Sequence, residues 1–291
     1  MSADRAGSAR TVGFVGLGQM GAPMAAHLVD RGLVVYDTRA EAAAPLVKAG
    51  ARAARSVAEV AASAGLVSVM VRDDAQVNEV AAEVLASARP GTVLAVHSTI
   101  GVRTAEELAE RARPYGIEVV DAPVSGGFMG ASAGTLAVMA GGSDEAFERC
   151  REPFGAWADL VLHMGPVGAG TRTKLARNLL HFAAFSAAAE AQRLAEASGV
   201  SLRKLGRIVR HTDAITGGAG SIMLRSTTAP VEPDDELYAI LRHVRDLGEK
   251  DLSLALDLAE SLGVDAPFAR LALGRLAAGL GLAGEGERAD G

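Results

Sequence analysis

The chain has 291 residues, 49% of them hydrophobic and 4% aromatic, and a net charge of −6 at pH 7. This length suits about two domains with a sizeable core, and the acidic balance, with bases interspersed, lacks the basic face that a nucleic-acid partner requires. A single cysteine, Cys150, excludes a disulfide framework and a cysteine-rich zinc site.

The first ten residues, MSADRAGSAR, have no apolar core and do not read as a signal peptide. They and residues 284–291 read as disordered termini. No stretch of about 18 apolar residues is free of charges and breakers, so no membrane span is expected, and the expected location is the cytoplasm. Short β-rich runs recur at Val12–Val15, Leu33–Tyr36, Leu66–Val71, Val93–His97, Ile117–Val120 and Leu136–Ala140, with a last candidate at Val161–His163. Helical segments separate them. Such alternation predicts an α/β domain over 11–165, a doubly wound parallel sheet with helices on both faces. After Gly165 the strand signals stop. Helices are expected at 169–198, 202–212, 235–262 and 266–280, an all-α domain over 166–283. Ser201 suits an N-cap and Gly199 a C-terminal stop. The helix 169–198 would span about 45 Å and form the wall between the domains.

The stretch TVGFVGLGQMGAPMAAHLV places Gly16, Gly18 and Gly21 of a GxGxxG motif between the first strand and a helix. In the dinucleotide fingerprint the first glycine makes the tight turn, the second lets the backbone approach a pyrophosphate, and the third lets helix and strand pack closely. Gln19 and Met20 then stand at the helix start, where amide donors face the phosphates. The second strand ends in Asp37, 21 residues after Gly16. An acid there accepts hydrogen bonds from a ribose hydroxyl pair and repels a 2′-phosphate. Thr38 and Arg39 follow it, and Val71 closes the third apolar run; all three are expected at the cofactor. Asp37 favours NAD, whereas Arg39 can instead face the 2′-phosphate of NADP. The bland reading is a glycine turn without a ligand, and the flanking strand, helix and acid speak against it.

The segment GAGTRTKLARNLLHFAAF, Gly168–Phe185, is mostly apolar or small and reads as a helix buried almost all round. Lysine is rarely buried without a partner. At 100° per residue, Lys174, Arg177, Asn178 and His181 fall within about 100° of one another, a polar stripe that should face a wet cavity. Oxidation at a hydroxyl carbon needs a hydride acceptor, which a nicotinamide supplies. It also needs a proton acceptor, and a lysine serves when burial and nearby positive charge lower its pKa. Arg177 is such a charge one turn away. Asn178 can orient a hydroxyl without competing for the proton. The bland alternatives are a lysine that snorkels to solvent and a His181 that only packs. Ser125-Gly126-Gly127 reads as an ordinary turn or as an anion-binding nest. Arg72, Asp73 and Asp74 read as a solvated loop, and His97, Cys150 and Trp157 as structural. His27, His163 and His211 show no metal-ligand spacing, and no metal is expected.

Four motifs, in this order, resemble those of the β-hydroxyacid dehydrogenases, which include 3-hydroxyisobutyrate dehydrogenase and tartronate semialdehyde reductase. They are GLGQMGAPM (Gly16–Met24), DAPVSGG (Asp121–Gly127) continued by GASAGTLAVMAGG, GAGTRTKLARN (Gly168–Asn178) and KDLSLAL (Lys250–Leu256). The resemblance covers nearly the whole chain. It implies a Rossmann-type domain followed by a helical one, and a homodimer or homotetramer formed through the helical part. It implies that Ser125, Gly126 and Gly127 hold the substrate carboxylate, that Lys174 is the catalytic acid/base and that Asn178 holds substrate beside it. Lys250 and Thr99 would lie at the nicotinamide. The chain departs from the family's pattern in a shorter Gly32–Asp37 segment and in Arg72, where proline is common. Arg177 replaces a common asparagine, and His243 falls near a common phenylalanine. Arg177 and His243 bear on substrate choice. Arg177 suits a substrate with a second anionic group, or it pairs with an acid on a neighbouring helix. The expected activity interconverts a short 3-hydroxy acid and its semialdehyde or keto form. The alternatives are a short-form 6-phosphogluconate dehydrogenase, expected to carry histidines where Thr171 and Arg177 stand; an imine reductase, which usually replaces the lysine; and a non-catalytic cofactor-binding scaffold, which usually loses it.

Overall fold

The computed structural model describes residues 11–282, so both termini expected to be disordered lie outside the described residues. Contacts divide the chain into two compact units after Arg177.

The first unit runs β1 (Val12–Val15), α1 (Gly21–Ala26), β2 (Val34–Tyr36), α2 (Ala44–Lys48), β3 (Arg52–Ala53), α3 (Val57–Ser63), β4 (Leu66–Val69), α4 (Asp74–Ser87), β5 (Val93–Val96), α5 (Val102–Ala112) and β6 (Glu118–Asp121). These strands pair in parallel in the order β3-β2-β1-β4-β5-β6. That order puts the switch point, and with it the ligand crevice, at the carboxyl ends of β1 and β4. Next come β7 (Val124–Ser125), α6 (Gly127–Ala133), β8 (Leu136–Gly141), α7 (Asp144–Phe154) and β9 (Ala158–Gly165). β8 runs antiparallel to β6 and β7 and parallel to β9. The parallel sheet therefore ends in a mixed edge that alternation alone does not announce. β3 and β7, two residues each, are too short to carry a period.

Strand alternation feeds a separate core on each face of the sheet. Phe14 points to one side with Met24, Leu28, Leu136, Phe154 and Trp157. Val15 points to the other with Val60, Val67, Val84 and Leu108. His97 completes the first core. Its ring lies 5.1 Å from Phe154 and 5.2 Å from Trp157, and its nitrogens bond the Ala122 carbonyl (2.9 Å) and the Ser68 hydroxyl (3.1 Å). Burial pushes its pKa down to about 4 against the pull of that carbonyl, so the ring is neutral at physiological pH. Burial likewise holds the Cys150 thiol up at about 12, which makes it inert. Truncating Phe154 or Trp157 would cost about 3–5 kcal/mol.

Helix starts are set by short polar side chains. Ser56 accepts from the Glu59 amide, and Ser143 accepts from the Ala146 amide. Asp73 caps α4 through the Gln76 amide, and Asp74 reaches across to the Gly101 amide at the start of α5. These two acids are thus structural caps rather than the solvated loop expected of them.

α8 (Ala169–Ala197) crosses the division between the units. The second unit continues with α9 (Leu202–Thr216), α10 (Tyr238–Ser261) and α11 (Pro267–Gly279). Gly199, at φ 72°, follows the end of α8, and Ser201 caps α9 as expected. Glu190 is buried and accepts from the Phe268 and Ala269 amides at the start of α11. The core of this unit is small: Val231, Leu241, Leu280 and Leu282. The expectation that Gly168–Phe185 is buried almost all round is not met within this chain. Leu175, Leu179, Phe182 and Phe185 are exposed, Leu179 to 75%. An apolar run says that a surface should be covered; it does not say that one chain supplies the cover. Among the described residues no helix is long and apolar enough to cross a membrane.

Candidate active site

The turn after β1 is shaped by close approach. Gly16 has φ 91°, and a Cβ there would lie 2.2 Å from the Met70 carbonyl oxygen. A Cβ on Gly21 would lie 1.9 Å from the Gly16 carbonyl oxygen, so this glycine lets α1 sit against the turn. Gly18 differs from both, because a Cβ there would meet no protein atom within 4 Å. Its open side is what a pyrophosphate needs in order to reach the backbone.

Gly16, Gly18, Gln19, Met20, Gly21, Asp37, Thr38, Arg39 and Val71 all line one cavity of about 550 Å³. Among the other lining residues are four with charged or amide side chains that the sequence did not place there, Arg72, Gln76, Glu79 and Glu83. Arg72 is therefore a wall of the crevice as well as a loop residue. The Asp37 carboxylate accepts from the Leu17 amide at 2.7 Å and the Arg39 amide at 2.8 Å. Partial burial works against its charge. The two amides and the Arg39 guanidinium outweigh that and hold the carboxyl below its usual range. Asp37 is thus a fixed anion at the end of β2. The open glycine and this acid on one cavity together fit a nicotinamide dinucleotide.

The catalytic candidates meet where β7 faces α8. Lys174, only 9% exposed, donates from Nζ to the Val124 carbonyl at 2.7 Å and to Ser125 Oγ at 2.9 Å. Burial lowers its pKa, and the charge of Arg177 lowers it further. Both changes favour the neutral amine, the form able to accept a proton. Gly126 and Gly127 follow at φ 133° and 62° and turn the chain into α6. Their neighbour Ser125 pairs with Ala137 across β7 and β8, which fixes the hydroxyl's place. Thr99 is exposed in the turn after β5, beside Ser98, whose hydroxyl bonds both the amide and the carbonyl of Val71. Thr99 does not line the 550 Å³ cavity.

The remaining candidates lie on the second unit. Asn178 follows Lys174 on the next turn of α8. His243 is exposed on α10, and Lys250, on the same helix, pairs with Asp251. The His181 ring packs edge-on to Phe182 and tilted against Phe185, at 5.3 and 4.3 Å between ring centres. Among the described residues no cluster of histidine, cysteine or acids could hold a metal. Asp121, quoted in the DAPVSGG motif without a role, is a buried carboxylate that bonds the start of α8.

Residues 11–165 match the family described as the NAD binding domain of 6-phosphogluconate dehydrogenase. Residues 168–290 match the one described as NAD-binding of NADP-dependent 3-hydroxyisobutyrate dehydrogenase. An uncharacterized oxidoreductase of Mycobacterium tuberculosis is 59% identical over 276 residues, 93% of either chain. The crystal structure of an oxidoreductase from Mycobacterium avium matches with a TM-score of 0.91 and 54% identity, over 94% of this chain and 99% of that one. The 3-hydroxyisobutyrate dehydrogenase of Mycobacterium tuberculosis, solved with L-serine, matches with a TM-score of 0.64 and 36% identity over 92% of both.

Proposed function

The chain belongs to the β-hydroxyacid dehydrogenase family, an oxidoreductase with a nicotinamide cofactor, and from that premise we propose that it interconverts a short 3-hydroxy acid and the matching semialdehyde or ketone. The observation that carries the reading is the buried Lys174 amine against the Ser125 hydroxyl, 2.9 Å away. In this reading Ser125 and the Gly126 and Gly127 amides hold the substrate carboxylate. Lys174, as the neutral amine, takes the proton from the hydroxyl during oxidation and returns it during reduction. Burial, and after it the charge of Arg177, lower the pKa of that amine, and Arg177 would meet a second anionic group on the substrate. Asn178 orients the reacting oxygen, and His243 contributes to substrate choice. The nicotinamide, when bound, supplies or accepts the hydride. Gly16, Gly18, Gln19, Met20, Gly21, Asp37, Thr38, Arg39 and Val71 would hold the dinucleotide, with Thr99 and Lys250 at its nicotinamide end. Asp37, held charged by two amides, supports NAD over NADP. The exposed apolar side chains of the second unit, among them Leu179, Phe182, Ile208 and Ile215, support a homodimer or homotetramer in which a second copy covers them.

Turnover by the purified protein, with NAD+ and NADP+ against a panel of short 3-hydroxy acids and with NADH and NADPH against the matching semialdehydes, tests this reading. Activity with at least one pair, faster with NAD(H), is expected. Tight cofactor binding with no turnover on any pair would favour a non-catalytic scaffold.

A further inference from the structure

Asp121 ends β6, and its side chain is 1% exposed. One carboxylate oxygen accepts from the Gly168 amide at 2.7 Å and the other from the Thr171 amide at 2.6 Å. These amides open the helix that carries Lys174, and a helix start has donors with no partner of its own. The surrounding backbone is compressed to admit the carboxylate. A Cβ on Gly141 would lie 2.4 Å from the Asp121 Oδ1. A Cβ on Gly170 would lie 2.2 Å from the Met139 carbonyl oxygen and 2.3 Å from that of Asp121. Gly170 of GAGTRTK is thus explained by this junction, and Gly168 by its φ of 90°.

Lys174 lies three residues beyond Thr171, on the same face of α8. Its Nζ reaches back to Val124 and Ser125, three and four residues beyond Asp121. Two attachments therefore close a frame between the β6–β7 segment and the first turns of α8. One is the carboxylate on the helix amides and the other is the amine on the strand. We infer that Asp121 is a positioning residue for the reaction, fixing the register of α8 so that Lys174 stands over Ser125. The inference rests on the hydroxyacid dehydrogenase reading of that site. Burial pushes the Asp121 carboxyl above its usual range despite the two amides. Keeping it charged there costs folding free energy, which points away from stability as its purpose.

The test is Asp121→Asn in the full-length protein. The asparagine keeps the volume but turns an amide donor toward one of the two backbone donors. Three quantities are read: cofactor affinity by titration, kcat per cofactor-binding site, and the rate at which acetic anhydride labels Lys174, followed by peptide mass spectrometry. Unchanged cofactor affinity is expected, with kcat down roughly 10- to 100-fold, the scale of a misplaced reacting group, and Lys174 labelled several-fold faster. In a Lys174→Ala background the same substitution should cost little more, because its effect runs through the lysine. Unchanged labelling would overturn the inference, as would an unchanged kcat in an active enzyme. Loss of cofactor binding would overturn it too, by showing a global role. An enzyme with no hydroxy-acid turnover at all would sink the functional reading alone, and the labelling arm would still decide whether Asp121 places the lysine.

Discussion

Gly18→Ala separates a glycine kept for a ligand from glycines kept for the fold. Gly18 lacks the positive φ of Gly16, and a Cβ there finds open space. The folded state should therefore accept alanine without strain. Alanine also narrows the unfolded ensemble, which stabilises by about 0.4–1 kcal/mol at a compatible site. For a protein of this size that is a rise in Tm of about 1–4 °C. The cofactor meets the opposite effect. The added methyl occupies the space through which a pyrophosphate would reach the backbone. Loss of one charged hydrogen bond there, worth about 1.5–3 kcal/mol, weakens Kd by about 10- to 150-fold. Differential scanning fluorimetry without ligand, and calorimetric titration with NADH, measure the two effects separately. The expected variant is at least as stable as the parent and binds cofactor poorly. A fall in Tm would mean that the open space is not there. Unchanged NADH affinity would mean that the pyrophosphate does not approach Gly18. At Gly16 or Gly21 the same change drives a methyl into a carbonyl oxygen, and folded protein should be lost first.

Lys174→Ala should lower kcat by about 10²–10⁴ with cofactor affinity retained, and Lys174→Arg should do no better because arginine stays protonated; steady-state kinetics beside a cofactor titration checks both. Since burial and Arg177 lower the lysine pKa, the oxidation rate should climb with pH through a value below that of a free lysine, and a pH–rate profile flat across that region would count against the amine as base. Asp37→Ser should weaken NAD and tighten NADP, read from paired Kd values, and equal weakening of both would place the acid away from the ribose. Arg177→Asn should raise KM for a dianionic substrate by the equivalent of about 1.5–3 kcal/mol and leave a monoanionic one nearly unchanged; equal effects would reduce Arg177 to setting the lysine's charge.

The sheet was legible because parallel strands buried on both faces read as unbroken apolar runs. β1 was bounded to the residue, Val12–Val15. The glycine turn and Asp37 were legible because their spacing is local. What stayed hidden is what distant segments do for one another. Nothing near Asp121 in the chain announces amides 47 and 50 residues away. Asp74 looked like loop because its acceptor role is spent on Gly101. Glu190 sits mid-helix, where periodicity gives it to solvent, yet it serves a helix start 78 residues on. Arg72 and the acids of α4 reach the crevice only because β4 lies beside β1.

Trp157 is the only tryptophan in the chain, and it is sealed among His97, Phe154 and Phe14 in the first unit. Its emission therefore reports on one half of the protein alone. Far-ultraviolet circular dichroism, by contrast, sums the helices of both units and so includes the second, which has no tryptophan. Denaturant curves recorded by the two signals should superimpose when the halves melt as one and part when they do not. Because His97 gains a proton only near pH 4, the indole's neighbour stays uncharged across the neutral range, and a change in emission there reports structure rather than titration of that ring.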